Sequence, residues 1–259
     1  MTEDLLVQRD NGVVTITINR PQRRNALDRA TFAALGDVLR EIATGAEDRV
    51  VVITGAGEAF CAGGDLTPAT TADSSQPRSP GDGTLAVMRS PIGEAALALH
   101  HLPQPTVAAV NGVAAGAGVN LAIGCDLVIA AESARFAELF VRRGLSIDFG
   151  GTWLLPRIVG LQKAKRMALL GDWYDAHEAE QLGLVTEVCP DDQLGAHVAA
   201  IARRLAEHSP VALSMIKRSL NRAFDVDMAA ALEQEALAQA ACASSPAFAE
   251  AIAAFKGSR

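Results

Sequence analysis

The stretch Val110-Asn111-Gly112-Val113-Ala114-Ala115-Gly116-Ala117-Gly118-Val119-Asn120-Leu121 decides how this chain is read. It begins at the end of an apolar run, Thr106 to Val110, that predicts a buried strand. It leads into an apolar segment that predicts a helix from about Ala117. The glycines and alanines between them leave backbone N–H groups uncovered, so a ligand can approach closely. The first N–H groups of a helix lack intrahelical partners and lie at the positive end of its dipole. Such a place suits a phosphate or an oxyanion that develops during a reaction.

A similar arrangement stands upstream. Arg49 to Thr54 is an apolar strand of the parallel-sheet kind, followed by the small-residue loop Gly55-Ala56-Gly57-Glu58-Ala59-Phe60-Cys61-Ala62-Gly63-Gly64-Asp65-Leu66. A further strand is expected at Cys125–Ala130 and a short one at Ala134–Ala137. Strand, small-residue turn, helix and strand thus recur, which implies an α/β core with ligands near strand ends. At the N-terminus, Asn11-Gly12 between Leu5–Arg9 and the run ending at Ile18 predicts a hairpin. Asn19 to Leu27 is a polar, basic loop, and Asp28 caps a helix with the stripe Phe32, Leu35, Val38, Leu39 and Ile42. Thr67 to Gly83 has the composition of a mobile surface segment or lid, and Thr84 to Leu102 reads as one helix ended by Pro103 and Pro105.

Beyond Gly160 the texture changes. Lys163–Leu170 is helical, Asp175 to Glu178 has capping-box spacing, and Leu184–Val188 is one more strand. Helices follow at Leu194–Glu207, Pro210–Phe224, Met228–Ala241 and Pro246–Phe255. The expected organisation is a core over residues 1–195 and a helical subdomain over 196–259, whose alanine-rich faces suit packing on themselves or on other subunits.

Composition narrows the function. The 259 residues are 49% hydrophobic and 20% charged, enough for a sizeable core. A net charge of −7 disfavours nucleic acid or an anionic membrane as the main partner. No run reaches the ~18 apolar residues of a membrane helix, and Met1-Thr2-Glu3-Asp4 lacks an apolar signal core. Cys61, Cys125, Cys189 and Cys242 form no CxxC pair and the histidines no HExxH pattern, so neither a metal site nor disulfides are expected, and the location is expected to be cytoplasmic.

Both glycine loops fail the dinucleotide fingerprint, with Phe60 and Leu121 where its third glycine belongs, and no GxxxxGK[ST] or GxSxG occurs. Two loops of bare backbone remain. They are either plain tight turns or two donors converging on one oxygen, the geometry of an oxyanion hole. Asp148 is the only acid between Glu138 and Asp172 and sits among Ile147, Phe149, Gly150 and Gly151. A carboxylate in apolar surroundings can serve as base or nucleophile. Alternatively Asp148 only caps the helix that runs through Trp153.

Taken together, Asn19-Arg20-Pro21, Arg24-Asn25-Ala26-Leu27, Phe60 to Leu66, Ala109 through Asp126, Gly150-Gly151-Thr152 and Ala179–Val185 resemble the crotonase superfamily, the enoyl-CoA hydratase/isomerase family. The likeness runs over nearly the whole chain. It implies an α/β fold, a spiral of ββα units with a C-terminal helical trimerisation subdomain. It implies acyl-CoA thioester substrates, no metal, and no cofactor beyond the coenzyme A of the substrate. The assembly implied is a homotrimer or a dimer of trimers. Gly64 and Ala117 match the oxyanion-hole positions. Arg24, Ala26 and Ala62, with Asp65 and Leu66 beside them, match the CoA-holding region. Phe255 and Lys256 match a C-terminal segment that reaches a neighbour's CoA. The glutamate pair of typical hydratases is replaced by Asn120 and Phe140. Asp148 matches the aspartate of some isomerases and of aromatic acyl-CoA dehalogenases, and the run from Asp148 to Arg157 is most similar to the ring-epoxide and double-bond isomerases of phenylacetate breakdown. The resemblance therefore points to an acyl-CoA isomerase with Asp148 as acid/base and an apolar pocket formed by Phe140 and Trp153. The alternatives are a hydratase that uses Asp148 or Glu138, an aspartyl-ester mechanism on an aromatic acyl-CoA, and a non-catalytic acyl-CoA binder.

Overall fold

In the computed structural model, residues 3–67 and 80–257 are described, without the side chains of residues 80, 251 and 254–257. Ten strands, eleven α-helices and four short 3₁₀ or π turns lie in these segments. The hairpin forms as the Asn-Gly pair predicts: β1 (Leu5–Asp10) pairs antiparallel with β2 (Val13–Ile18), and Asn11 and Gly12 both take positive φ, 48° and 81°. Asp28 accepts the N–H of Thr31 and starts α1 (Arg29–Thr44), which buries Phe32, Leu35, Leu39 and Ile42.

The main sheet has the order β1-β2-β3-β5-β7-β10, with β3 Val50–Gly55, β5 Thr106–Val110, β7 Leu127–Ala131 and β10 Glu187–Cys189. All its pairings except β1–β2 are parallel. Its central strands are apolar on both faces because both faces are covered. Val51, Ile53, Ala108 and Val110 share one core with Phe32, Leu35, Leu39 and Ile42 of α1. Their neighbours Val50, Val52, Val107 and Ala109 pack under Leu194, Val198 and Ala202 of α8 (Leu194–Ala206).

A second sheet, β4-β6-β8-β9, consists of three-residue strands: Ala59–Cys61, Val113–Ala115, Arg135–Ala137 and Trp173–Asp175. Each of the pairs β3/β4, β5/β6 and β7/β8 places its first strand in the large sheet and its second in the small one. This is the spiral that the family resemblance implies. The small residues between Gly112 and Gly116, read above as a turn, therefore include a strand.

One other reading changes. The helix expected over 84–102 is broken into α2 (Pro80–Val87) and α3 (Glu94–His101) by a widened turn, with Ser90 at φ −148° and ψ 121°. Pro91 is the reason, since the residue before a proline is driven out of the helical region. The lid expected over 67–83 lies largely outside the described residues. Within 196–259, α8 belongs physically to the sheet. The helices free of the sheet are α9 (Pro210–Asn221), α10 (Met228–Ala243) and α11 (Pro246–Gly257). α9 is tied to the core by Lys217, which pairs with Asp126 at 2.7 Å and donates to the Gln104 carbonyl at 2.9 Å. No residue of α9 or α10 is buried, and Leu220, Phe224 and Met228 are 67%, 76% and 78% exposed.

Candidate active site

The two small-residue loops meet. The loop after β4 pairs with the basic loop before α1 through Leu27 and Gly64: Leu27 N–H donates to the Gly63 carbonyl and Asp65 N–H to that of Leu27, both at 2.8 Å. Arg20 reinforces the junction with ion pairs to Asp28 at 3.0 Å and Asp65 at 3.1 Å. The carboxyl of Asp65 is held below the usual carboxylate range by the Thr67 hydroxyl and by Arg20 and Arg23. Asn25, fully buried, donates to the carbonyls of Ala56 and Ala59 at 2.9 and 2.6 Å, which fixes the base of the loop.

At Gly63 an added Cβ would lie 2.7 Å from the Ala115 carbonyl oxygen and 3.4 Å from the Ala117 nitrogen, so this loop touches the start of α4 (Ala117–Ile123). Gly116, with φ 54° and ψ −123°, has a conformation open to glycine, and the Phe140 ring covers it. The N–H groups of Gly64 and Ala117 have no acceptor among the described residues. Gly64 is exposed, with open space where a Cβ would stand. Arg24 and Ala62 are joined on the same edge, Ala62 N–H donating to the Arg24 carbonyl at 3.0 Å. Ala26 is half-buried there and Leu66 is 56% exposed.

Asp148 does not cap the following helix. α5 (Gly151–Val159) begins after Gly150 and has no side-chain cap. The Asp148 backbone carbonyl instead accepts the Gly151 N–H and the Asn120 side-chain amide, both at 3.0 Å. Phe149, in the left-handed region at φ 49°, makes this turn while its ring packs 5.8 Å from Phe32. Asn120, fully buried, therefore fixes the backbone at Asp148. Oδ1 of Asp148 is buried without a hydrogen-bond partner among the described residues, and burial pushes its carboxyl up to about 6. Cys61, buried beneath the same site, has its thiol pushed up to about 12 by burial, so it stays protonated.

Phe140 and Trp153 line different walls. Phe140 lies over Gly116, whereas Trp153 meets His100 edge-on at 5.1 Å and carries Arg157 over its face at 3.9 Å. Trp153 and Phe149 border an apolar cleft of about 450 Å³ against Ala96, Leu97 and His100 of α3. The backbone of Phe255 and Lys256 is helical, and their side chains lie outside the described residues. Among the described residues no group of three His, Cys, Asp or Glu could hold a metal ion.

One group stands out that the sequence offered only as an alternative base. Glu138 follows β8 directly and is 0% exposed, and neither of its carboxyl oxygens has a hydrogen-bond partner among the described residues. Burial, and after it the charge of Asp148, pushes its carboxyl up to about 8. Its isolation is a tertiary fact with no local sequence signal.

The model of the family described as Enoyl-CoA hydratase/isomerase matches residues 8–259. The 1,2-epoxyphenylacetyl-CoA isomerase of Escherichia coli is 36% identical over 259 residues, covering 100% of this chain and 97% of that protein. The 2,3-dehydroadipyl-CoA hydratase of the same organism is 37% identical over 232 residues, covering 90% and 87%. The crystal structure of an enoyl-CoA hydratase from Bacillus anthracis superimposes with a TM-score of 0.91 at 32% identity, covering 99% and 97%. Two loops of bare N–H groups and a half-buried carboxyl thus stand together on a spiral of ββα units. The chain belongs to the enoyl-CoA hydratase/isomerase family, the crotonase superfamily.

Proposed function

We propose that the protein isomerises an enoyl-CoA. The thioester oxygen accepts the N–H groups of Gly64 and Ala117, and Asp148 removes a proton next to the thioester, leaving an enolate. The same carboxyl returns the proton further along the chain, and the double bond shifts. Each oxyanion donor is worth ~2.7–4 kcal/mol of barrier and a positioned base ~10²–10⁴-fold in rate. The observation that carries this reading is the buried, unpartnered Oδ1 of Asp148, in a site where Asn120 and Phe140 replace the two hydratase glutamates. A carboxyl pushed up to about 6 is a stronger base than an ordinary aspartate and is still ionised at neutral pH.

The edge formed by Arg24, Ala26, Ala62, Asp65 and Leu66 holds the CoA, Phe255 and Lys256 reach the CoA of a neighbour, and no further cofactor takes part. The exposed apolar residues around α9 and α10 support a homotrimer or a dimer of trimers. A cytoplasmic location suits such substrates.

A panel of 2-enoyl, 3-enoyl and aromatic-ring acyl-CoA esters tests the assignment against wild type and Asp148→Asn. Double-bond migration, lost by at least ~10²-fold in the variant, is expected. Formation of 3-hydroxyacyl-CoA from a 2-enoyl-CoA would instead make the protein a hydratase. Heavy-oxygen label entering the Asp148 carboxyl from water would make it an aspartyl-ester enzyme, and binding without turnover would make it a binder. Full activity in Asp148→Asn would remove Asp148 from the chemistry.

A further inference from the structure

Glu138 has no part in the reaction above, yet it is the more isolated of the two acids. Both of its oxygens are buried without a partner. The groups around it do not neutralise it. Arg135, three residues before it at the start of β8, lies over the Trp173 ring, and Arg142 pairs with Asp172 at 3.6 Å. Tyr174, opposite Phe136 on β9, has a buried hydroxyl that is itself unpartnered, and Cys61 on β4 is a thiol. α4 presents only the amide of Asn120.

An ionised carboxylate is very costly in such a place, and even a neutral one leaves bonds unmade. A leucine or methionine would fill the same volume without that cost. A polar group kept under these conditions is a functional candidate when a titrating partner stands nearby.

That partner is Asp148. The two acids arrive from different parts of the chain and are fixed to one turn of α4. The pairing of Ala115 with Ala137, extended by the bond from Gly116 N–H to the Ala137 carbonyl at 2.9 Å, sets Glu138 beside the start of that turn. Asn120, one turn later, holds Asp148.

We propose that Glu138 is a positioning residue that holds a proton beside Asp148, so that the pair carries a single negative charge, on Asp148. This rests on the isomerase reading of the site. With Glu138 neutral, proton transfer from substrate to Asp148 leaves the enolate as the one anion in the pocket. Ionisation of Glu138 places a second buried negative charge next to that enolate and next to Asp148, and turnover falls. No proton leaves Glu138 during the reaction. The direction of the two shifts agrees with this order of ionisation, Asp148 first at about 6 and Glu138 later at about 8, as expected for a coupled pair.

The test compares wild type, Glu138→Gln and Asp148→Asn on the best substrate of the panel. The wild-type kcat/KM profile is expected to be bell-shaped, with limbs near 6 and 8. Glu138→Gln should keep the acid limb and lose the alkaline one. Wild type should fall ~10-fold per pH unit above 8, whereas the variant should not. A purely structural Glu138 would lower activity evenly and leave both limbs in place. Infrared spectroscopy of wild type supplies a readout that does not depend on the variant's folding. A protonated-carboxyl band should be present at pH 7 and disappear as the pH rises through about 8. An unchanged alkaline limb in Glu138→Gln, or no such band in wild type, overturns the proposal. If Asp148→Asn is inactive while either of these occurs, only the role of Glu138 fails. If Asp148→Asn is fully active, the isomerase reading itself fails.

Discussion

Replacing Gly118 by alanine should pull the two oxyanion loops apart. The added Cβ would stand 2.0 Å from the carbonyl oxygen of Cys61 and 2.8 Å from its carbonyl carbon. Carbon and oxygen settle at ~3.3–3.6 Å even in close C–H···O contacts, so α4 and β4 must separate by more than ~1 Å. Both clashing atoms are backbone, and no side chain can swing away. Ala117 adjoins Gly118 in α4, and Gly64 lies three residues after Cys61, so the shift falls directly on the spacing of the two N–H donors. A misplacement of about 1 Å can cost ~10²-fold, and losing one donor costs ~10²–10³ in kcat. Overpacking should also destabilise the fold by ~1–3 kcal/mol, with Tm lower by ~2–4 °C per kcal/mol. Steady-state kcat and KM on the best acyl-CoA, with calorimetric Tm, measure both effects. Gly64→Ala is the reference for folding, because its Cβ would meet open space, and its Tm should match wild type. The reasoning is refuted if Gly118→Ala shows wild-type Tm and wild-type kcat.

The same pair of acids should make stability depend on pH. Glu138 goes from 4.5 to about 8 and Asp148 from 3.8 to about 6 on folding, so the folded state binds these protons more tightly than the unfolded chain. Their stabilising effect is therefore complete below about pH 4 and is lost as pH rises through 6 and 8. At ~1.4 kcal/mol per pKa unit, the Glu138 window is worth at most about 5 kcal/mol. Urea unfolding between pH 5 and 9 should show the decline, Glu138→Gln should flatten it, and equal slopes in the two proteins would contradict the shift. For the assembly, sedimentation should give wild type a mass above the monomer's 27.0 kDa. The double variant Leu220→Glu/Phe224→Glu should sediment as a monomer, since a charge in a buried apolar contact is strongly unfavourable. A monomeric wild type would refute the packing role of this face.

Much of this protein is legible along the chain because the relevant physics is local. Asn11-Gly12 makes the hairpin, Asp28 caps α1 through Thr31, and Asp175 and Glu178 form their capping box. The long apolar runs of β3, β5 and β7 announce a sheet covered on both faces. The loops at Gly64 and Ala117 stand out as bare backbone. The strands β4, β6 and β9 do not stand out, for three residues are too few to show a period and they persist only by pairing with one another. Pro91 acted where the apolar pattern suggested an unbroken helix. By itself, the sequence determined the family and the parallel core, and it offered the aspartate as a candidate. Only the tertiary structure decided that Asn120 holds the Asp148 backbone, that Phe140 and Trp153 face different walls, and that Glu138 is buried unpaired near Asp148. The reason is electrostatic: whether a carboxyl is solvated, paired or stranded depends on neighbours from β8, α4 and the approach to α5. No window along the chain brings those neighbours together.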